Sequence, residues 1–193
     1  MYLSIHLYDT KIKPFQRQFI FYLQYIPFYV KNKTLMKGLN MKLMVEYLEN
    51  YDKSWGNLVY KHADDSGFDM RAAIKEPITL KAGTYALIPN GVKLKIESDD
   101  NAYEIQLRAR SGLAARNGIG LVNGIGTFDY GFRGEYITIL SNWGETDFVI
   151  NPGDRICQAV ICPIIRPEIV EIDTIETNDT TRGINGLGST GKN

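Results

Sequence analysis

Eighteen residues, Gly118 to Glu135, carry six glycines at positions 118, 120, 124, 126, 131 and 134 around one carboxylate, Asp129. Such spacing lets backbone turn tightly and approach a ligand with no Cβ in the way. The composition is that of a pocket wall. Apolar Ile119, Leu121 and Val122 lead into Asn123-Gly124, the dipeptide favoured in type I′ hairpin turns, and a second strand-like run, Tyr136 to Leu140, follows the carboxylate. Asp129 is therefore expected on a β scaffold. Its residue chemistry fits a plain turn position as well as a ligand-facing carboxylate.

The 193 residues are 44% hydrophobic and 23% charged, with 22 basic side chains against 22 acidic ones and a pI near 6.7. That balance suits one soluble domain and argues against a nucleic-acid partner held by bulk charge. No apolar run reaches the length of about 20 residues that a membrane-spanning helix needs. Cys157 and Cys162 lie in the apolar run Ile156 to Ile165, on opposite faces if that run is a strand. With no CxxC pair and only His6 and His62 as histidines, a zinc or redox site has no support, and both cysteines read as small buried hydrophobes.

Residues 1–40 differ from the rest: Lys11, Lys13, Arg17, Lys31, Lys33 and Lys37 face a single acid, Asp9, among nine aromatics. Pro27 and Gln24 break the apolar run Phe19 to Val30, and no small-residue cleavage site follows. The segment is read as an extension outside the fold, with Met41 opening the domain proper; a membrane-surface role is disfavoured because Pro14 and Pro27 interrupt any amphipathic helix. From Met41 the pattern is β. Leu43, Val45 and Tyr47 alternate with Met44 and Glu46, Val92, Leu94 and Ile96 with Lys93, Lys95 and Glu97, and Tyr103, Ile105 and Leu107 with Glu104, Gln106 and Arg108. Turn signals at Pro89-Asn90-Gly91, Ser98 to Asn101 and Asn151 to Asp154 separate them. Many short strands with this punctuation indicate an all-β sandwich, jelly roll or barrel. One short helix is expected between Ser111, as its cap, and Gly118, as its stop, with Arg110 adding a cation beside the free N–H groups of its first turn.

The last residues, Thr180 to Asn193, are polar and glycine-rich. Gly186, Gly191 and Lys192 nearly spell a Walker A loop, but Asn193 stands where Ser or Thr is required. The same glycines with Ser189, Thr190 and Arg182 suit a mobile flap around a phosphate chain.

Five stretches together resemble the trimeric dUTPase family from about Met41 onward: Ala63 to Ala72, Arg110 to Ile119, Gly126 to Glu135, Gly153 to Gln158, and Arg182 to Gly191. The resemblance implies a distorted jelly-roll β fold over residues 41–176 and a phosphate-closing tail over 177–193, exchanged between the subunits of a homotrimer. It also implies hydrolysis of dUTP to dUMP and pyrophosphate with Mg2+, in the cytoplasm, without a nucleic-acid or membrane partner. Such a reaction limits uracil in DNA and supplies dUMP for thymidylate synthesis.

By the same resemblance, Asp129 is the base that activates the water attacking the α-phosphorus. Asn123 and the backbone of Gly126, Thr127 and Phe128 read the uracil edge, and Phe132 packs on deoxyribose. Arg110, Ser111, Gly112 and Gln158 hold phosphate, with Asp69 supporting the metal-water shell and nearby arginine rather than ligating the metal. Arg182, Leu187, Gly188 and Ser189 close the site from the tail. Two residues depart from the family's habit: Phe132 replaces a tyrosine, with little expected loss, and Leu187 replaces a phenylalanine that stacks on uracil.

Two rival readings share the pattern. A dCTP deaminase needs a glutamate where this chain has Ile139, and a nucleotide-gated regulatory protein would use the same pocket without needing Asp129 as a base. Leu187 covers the base without stacking, a difference of about 0.5–1.5 kcal/mol. Leu187→Phe is accordingly expected to lower the KM for dUTP by about two- to tenfold, with kcat retained, as read by steady-state pyrophosphate release.

Overall fold

The computed structural model describes residues 41–176 and 180–184, so the readings for residues 1–40 and for Leu187, Gly188 and Ser189 lie outside the described residues. Among the described residues eleven strands and one short helix follow in order: β1 Lys42–Tyr47, β2 Phe68–Arg71, β3 Ile78–Leu80, β4 Tyr85–Pro89, β5 Val92–Glu97, β6 Tyr103–Ala109, α1 Ser111–Asn117, β7 Ile119–Leu121, β8 Ile125–Asp129, β9 Ile137–Asn142, β10 Phe148–Ile150 and β11 Arg155–Pro163. A 3-10 turn, Lys53–Trp55, follows β1.

Every strand pair is antiparallel. The sheets are β2-β11-β6-β8, β4-β9-β7, β1-β5 and β3-β10. The alternation read from the sequence is obeyed. Leu43, Val45 and Tyr47 turn inward on β1, Val92, Leu94 and Ile96 are buried on β5, and Ile105 and Leu107 are buried on β6. Met70, Leu107, Cys157 and Ala159 from the four-stranded sheet join Ile88, Leu121 and Leu140 from the three-stranded one in a single apolar core. Two layers that each bury one face give the all-β class.

Three local expectations fail for physical reasons. Ser111 is the first helical residue rather than the cap; Arg110 holds the cap position in extended conformation (φ −84°, ψ 122°) with no side-chain capping bond. Asn123-Gly124 does not make a type I′ hairpin, because that turn needs positive φ at both central residues and only Gly124 has it. Gly124 instead closes a turn onto the Leu121 carbonyl (3.0 Å), and the flanking strands part: β7 pairs with β9 while β8 pairs with β6. Cys157 is fully buried, but Cys162 is only half-buried, on the outward face where Arg108 Nη2 lies 3.3 Å from its sulfur.

Gly118 does end α1, at φ +67°, with its N–H on the Ala114 carbonyl. A Cβ there would lie 2.6 Å from the Gly144 nitrogen, whereas one at Gly83 (φ +74°) would meet nothing within 4 Å. Gly83→Ala is therefore expected to cost only the left-handed penalty of about 1–2 kcal/mol. Gly118→Ala adds a backbone collision and should lower the thermal midpoint clearly more; equal losses would contradict this packing.

Candidate active site

The site residues fall into two groups carried by the four-stranded sheet. In the first, β6 runs out at Ala109 and Arg110 begins the turn into α1. Asp69 on β2 sits opposite Gln158 on β11, which sits opposite Arg108 on β6. Asp69 uses both oxygens: Oδ1 lies 3.0 Å from Arg110 Nε, and Oδ2 lies 3.4 Å from Arg155 Nη1. Arg110 Nη1 also donates to the Arg155 carbonyl (2.8 Å), and Gln158 Nε2 donates to the Ala109 carbonyl (3.1 Å). These contacts fix the approach of Arg110 before any ligand arrives. A carboxylate shared by two guanidiniums leaves their remaining N–H groups directed at an anion.

Ser111 and Gly112 follow directly in the first turn of α1, with Ser111 exposed. A Cβ at Gly112 would lie 2.9 Å from Arg116 Nη2, so this glycine gives the Arg116 guanidinium room to fold back over the helix start. Beside the group lies a cavity of about 420 Å3 lined by Arg71, Arg110, Leu113, Phe148, Gly153, Asp154, Arg155 and Ile156. Arg71 and Arg155 were not singled out from the sequence. Both stood inside the quoted stretches, and Arg71 is two residues after Asp69, hence on the same strand face.

Across β6, β8 forms the base-sized half, with Gly126 opposite Leu107 and Asp129 opposite Glu104. A cavity of about 220 Å3 is lined by Leu107, Leu121, Asn123, Gly126, Thr127, Phe128, Ile137, Thr138 and Ile139. Gly126 is buried against β6, where a Cβ would come within 3.3 Å of Leu107 Cβ. Ile137, Thr138 and Ile139 were missed as wall residues because their contribution comes from β9 in the other sheet. The Thr138 hydroxyl is committed below the wall, donating to Asn90 Oδ1 (3.0 Å) with Cys157 Sγ at 3.1 Å.

β8 ends on Asp129, which is exposed and whose carbonyl accepts from the Phe132 N–H (2.9 Å). The Phe132 ring, 36% exposed, meets Phe128 edge-on at 5.2 Å, and Phe128 stacks on buried Tyr136 at 4.1 Å. Ring contacts of this kind hold an aromatic platform without hydrogen bonds. Burial raises the Tyr136 hydroxyl well above the ordinary tyrosine range, against a smaller lowering by Arg133.

The base cavity reaches β6 at Leu107, beside Arg108, but Asp129 itself stands apart from Arg110. Asp129 pairs with Glu104, six residues before Arg110, which separates them by roughly 20 Å at the rise of a β-strand. Arg182 lies in the described segment 180–184, exposed, where the Gly183 N–H donates to Thr180 Oγ1 (3.1 Å).

The family model for dUTPase matches residues 53–191. The deoxyuridine 5'-triphosphate nucleotidohydrolase of Chlamydia caviae is 45% identical over 128 residues, covering 66% of this chain and 85% of the relative. That of Gloeothece citriformis is 42% identical over 132 residues, covering 68% and 86%. Among solved structures, the Staphylococcus bacteriophage 80alpha dUTPase with dUpNHpp superposes with a TM-score of 0.65 at 24% identity, covering 78% of this chain and 98% of that one. The dUTPase of phage phi11 of S. aureus gives 0.59 at 23%, covering 70% and 99%. These structural likenesses establish the shared β fold. The chain belongs to the dUTPase family.

Burial pushes the Cys157 thiol up to about 12, with the Thr138 contact opposing. A raised thiol stays protonated at pH 8 and is a poor nucleophile. A thiol-specific chromogenic disulfide at pH 8 is therefore expected to leave Cys157 unmodified in the folded protein and to modify both cysteines after unfolding, as read by peptide mass spectrometry.

Proposed function

We propose that this chain hydrolyses dUTP to dUMP and pyrophosphate, with Asp129 as the base. The observation that supports it most is the continuity of β8: one strand lines a base-sized cavity with glycine backbone and then ends on an exposed carboxylate beside an aromatic platform. In this reading uracil is recognised by main-chain groups from Gly126 to Phe128 with Asn123, and deoxyribose packs on Phe132. Asp129 takes the proton of the water that attacks the α-phosphorus. Arg110, Ser111, Gly112 and Gln158 hold the phosphate chain, and Arg155 and Asp69 keep Arg110 in its orientation.

The roughly 20 Å between Asp129 and Arg110 along the strand supports a site in which a second copy supplies the phosphate half beside the first copy's Asp129. A homotrimer satisfies this. The stretch after β11 supports association too: Ile165, Ile169 and Ile175 are 92%, 97% and 75% exposed in the single chain, burial that a neighbouring copy can provide. Arg182, Leu187, Gly188 and Ser189 then close the site from the tail.

Among the described residues no group of three or more His, Cys, Asp or Glu side chains could hold a metal ion. In this reading magnesium is carried on the triphosphate oxygens and water, with Asp69, already bound to two arginines, supporting from outside. When bound there, magnesium neutralises charge building on the phosphate oxygens. A deaminase would need an acid at the base, and none of the residues lining the base cavity is acidic. Among the described residues no helix is long and apolar enough to cross a membrane.

The test is pyrophosphate release by the full chain with magnesium, comparing dUTP, dTTP, dCTP and UTP. Release is expected from dUTP alone, and Asp129→Asn should reduce it by about 10²–10⁴-fold while leaving nucleotide binding in place. Undiminished release in that variant would remove Asp129 from the role of base. Binding of dUTP without release by the unaltered protein would favour the regulatory reading instead.

A further inference from the structure

The connection from Tyr130 to Tyr136 leaves the four-stranded sheet at the end of β8 and enters the three-stranded sheet at β9, carrying Phe132 on the way. Its far end is fixed by backbone bonds, Tyr136 N–H to the Val92 carbonyl (3.0 Å) and Asn90 N–H to the Tyr136 carbonyl (2.9 Å). Side chains add more: Arg133 Nη1 donates to the Tyr130 carbonyl (2.8 Å) and the Phe132 carbonyl (2.7 Å) within the connection, and Glu135 reaches outside it. The half-buried Glu135 places Oε1 on the Gly91 N–H (3.0 Å) and on Asn50 Nδ2 (2.9 Å), tying the connection to two separate turns.

Both anchors are rigid. Gly91 is buried at φ +68°, and a Cβ there would lie 2.7 Å from Ala73 Cβ and 3.0 Å from Tyr51 Cβ. Asn50 is held in turn by a second donation from Nδ2 to the Ala73 carbonyl (3.3 Å). One carboxylate oxygen has the lone pairs to accept both donors, and its charge strengthens each bond.

The contact reaches the ring through Gly134. A Cβ on Gly134 would lie 2.7 Å from Phe132 Cζ, so the ring folds back over this glycine, the residue immediately before Glu135. Where Glu135 holds the backbone therefore bears on where the Phe132 ring lies, together with the ring's own packing on Phe128 and Tyr136.

We propose that Glu135, bonded to Gly91 and Asn50, is a positioning residue that holds the Phe132 ring at the height that separates deoxyribose from ribose nucleotides. The proposal rests on the reading of Phe132 as the sugar platform. A carboxylate lost here releases Gly134, and the ring gains freedom to retreat from the sugar. A 2′-hydroxyl then fits where it was excluded.

The experiment is the ratio of kcat/KM for dUTP to that for UTP, measured on the full chain with thermal midpoints alongside. Glu135→Ala is expected to lower the ratio about tenfold, within the loss that a displacement of about 1 Å causes. Glu135→Gln keeps an acceptor oxygen for both donors and should restore most of it. Asn50→Ala, which removes one of the two bonds, should fall between. A soluble Glu135→Ala with a lowered thermal midpoint and an unchanged ratio overturns the proposal, and if that variant does not fold, an unchanged ratio in Asn50→Ala does so. Phe132→Ala separates the two ideas: an unchanged ratio there sinks the sugar-platform reading itself, and the positioning role with it.

Discussion

The register of β6 between β11 and β8 is the constraint on which the rest of the molecule depends. It places Gln158 opposite Arg108 on one side and Asp129 opposite Glu104 on the other. A slip of one residue would turn Ile105 and Leu107 out of the core and send Arg108 and Gln106 into it. Ile105 and Leu107 are buried to within a few per cent, so the register is specified by core burial at the strand's centre. The positions of Asp129 and Arg110 along the sheet inherit that precision, and the contacts of Asp69 then orient Arg110.

Charge is handled differently at the two ends. Arg110 and Arg155 share Asp69, and all three side chains are about a third to a half exposed. Pairs so wet contribute little to folding; their effect is orientation, since a guanidinium held at one edge presents the other edge to a ligand. At the Asp129 end the carboxylate stands exposed at a strand terminus, in contact with water. The arrangement suits a chemistry in which one end must hold charge still and the other must exchange a proton with solvent.

How much of this was legible in the sequence follows from the range of the forces involved. Alternation on β1, β5 and β6 was readable because a strand's two faces are decided by neighbours in the chain and by one core. Asn123-Gly124 misled because hairpin preference assumes the flanking strands pair with each other, whereas here the turn carries the chain from one sheet to the other. Ser111 misled because Arg110, drawn toward Asp69 on a distant strand, takes the extended cap position itself. Ile137 to Ile139 as a wall, and Arg71 and Arg155 as cavity lining, depend on juxtapositions between strands far apart in sequence. Motif order located the stretches; only the sheet shows which side chains in them share a face.

β8 ends on Asp129 opposite Glu104, six residues before Arg110, and no side chain spans the roughly 20 Å between them. Closing that gap within a single chain would require β6 to bend sharply, which its uninterrupted pairing with β11 from Tyr103 to Ala109 opposes. The association of copies proposed above closes it at no cost to the sheet, and it also offers cover to isoleucines that stand in water along the stretch after β11. On that proposal, the same straight strand that makes the fold secure also sets the need for a second copy, so that assembly and catalysis trace to one geometric fact.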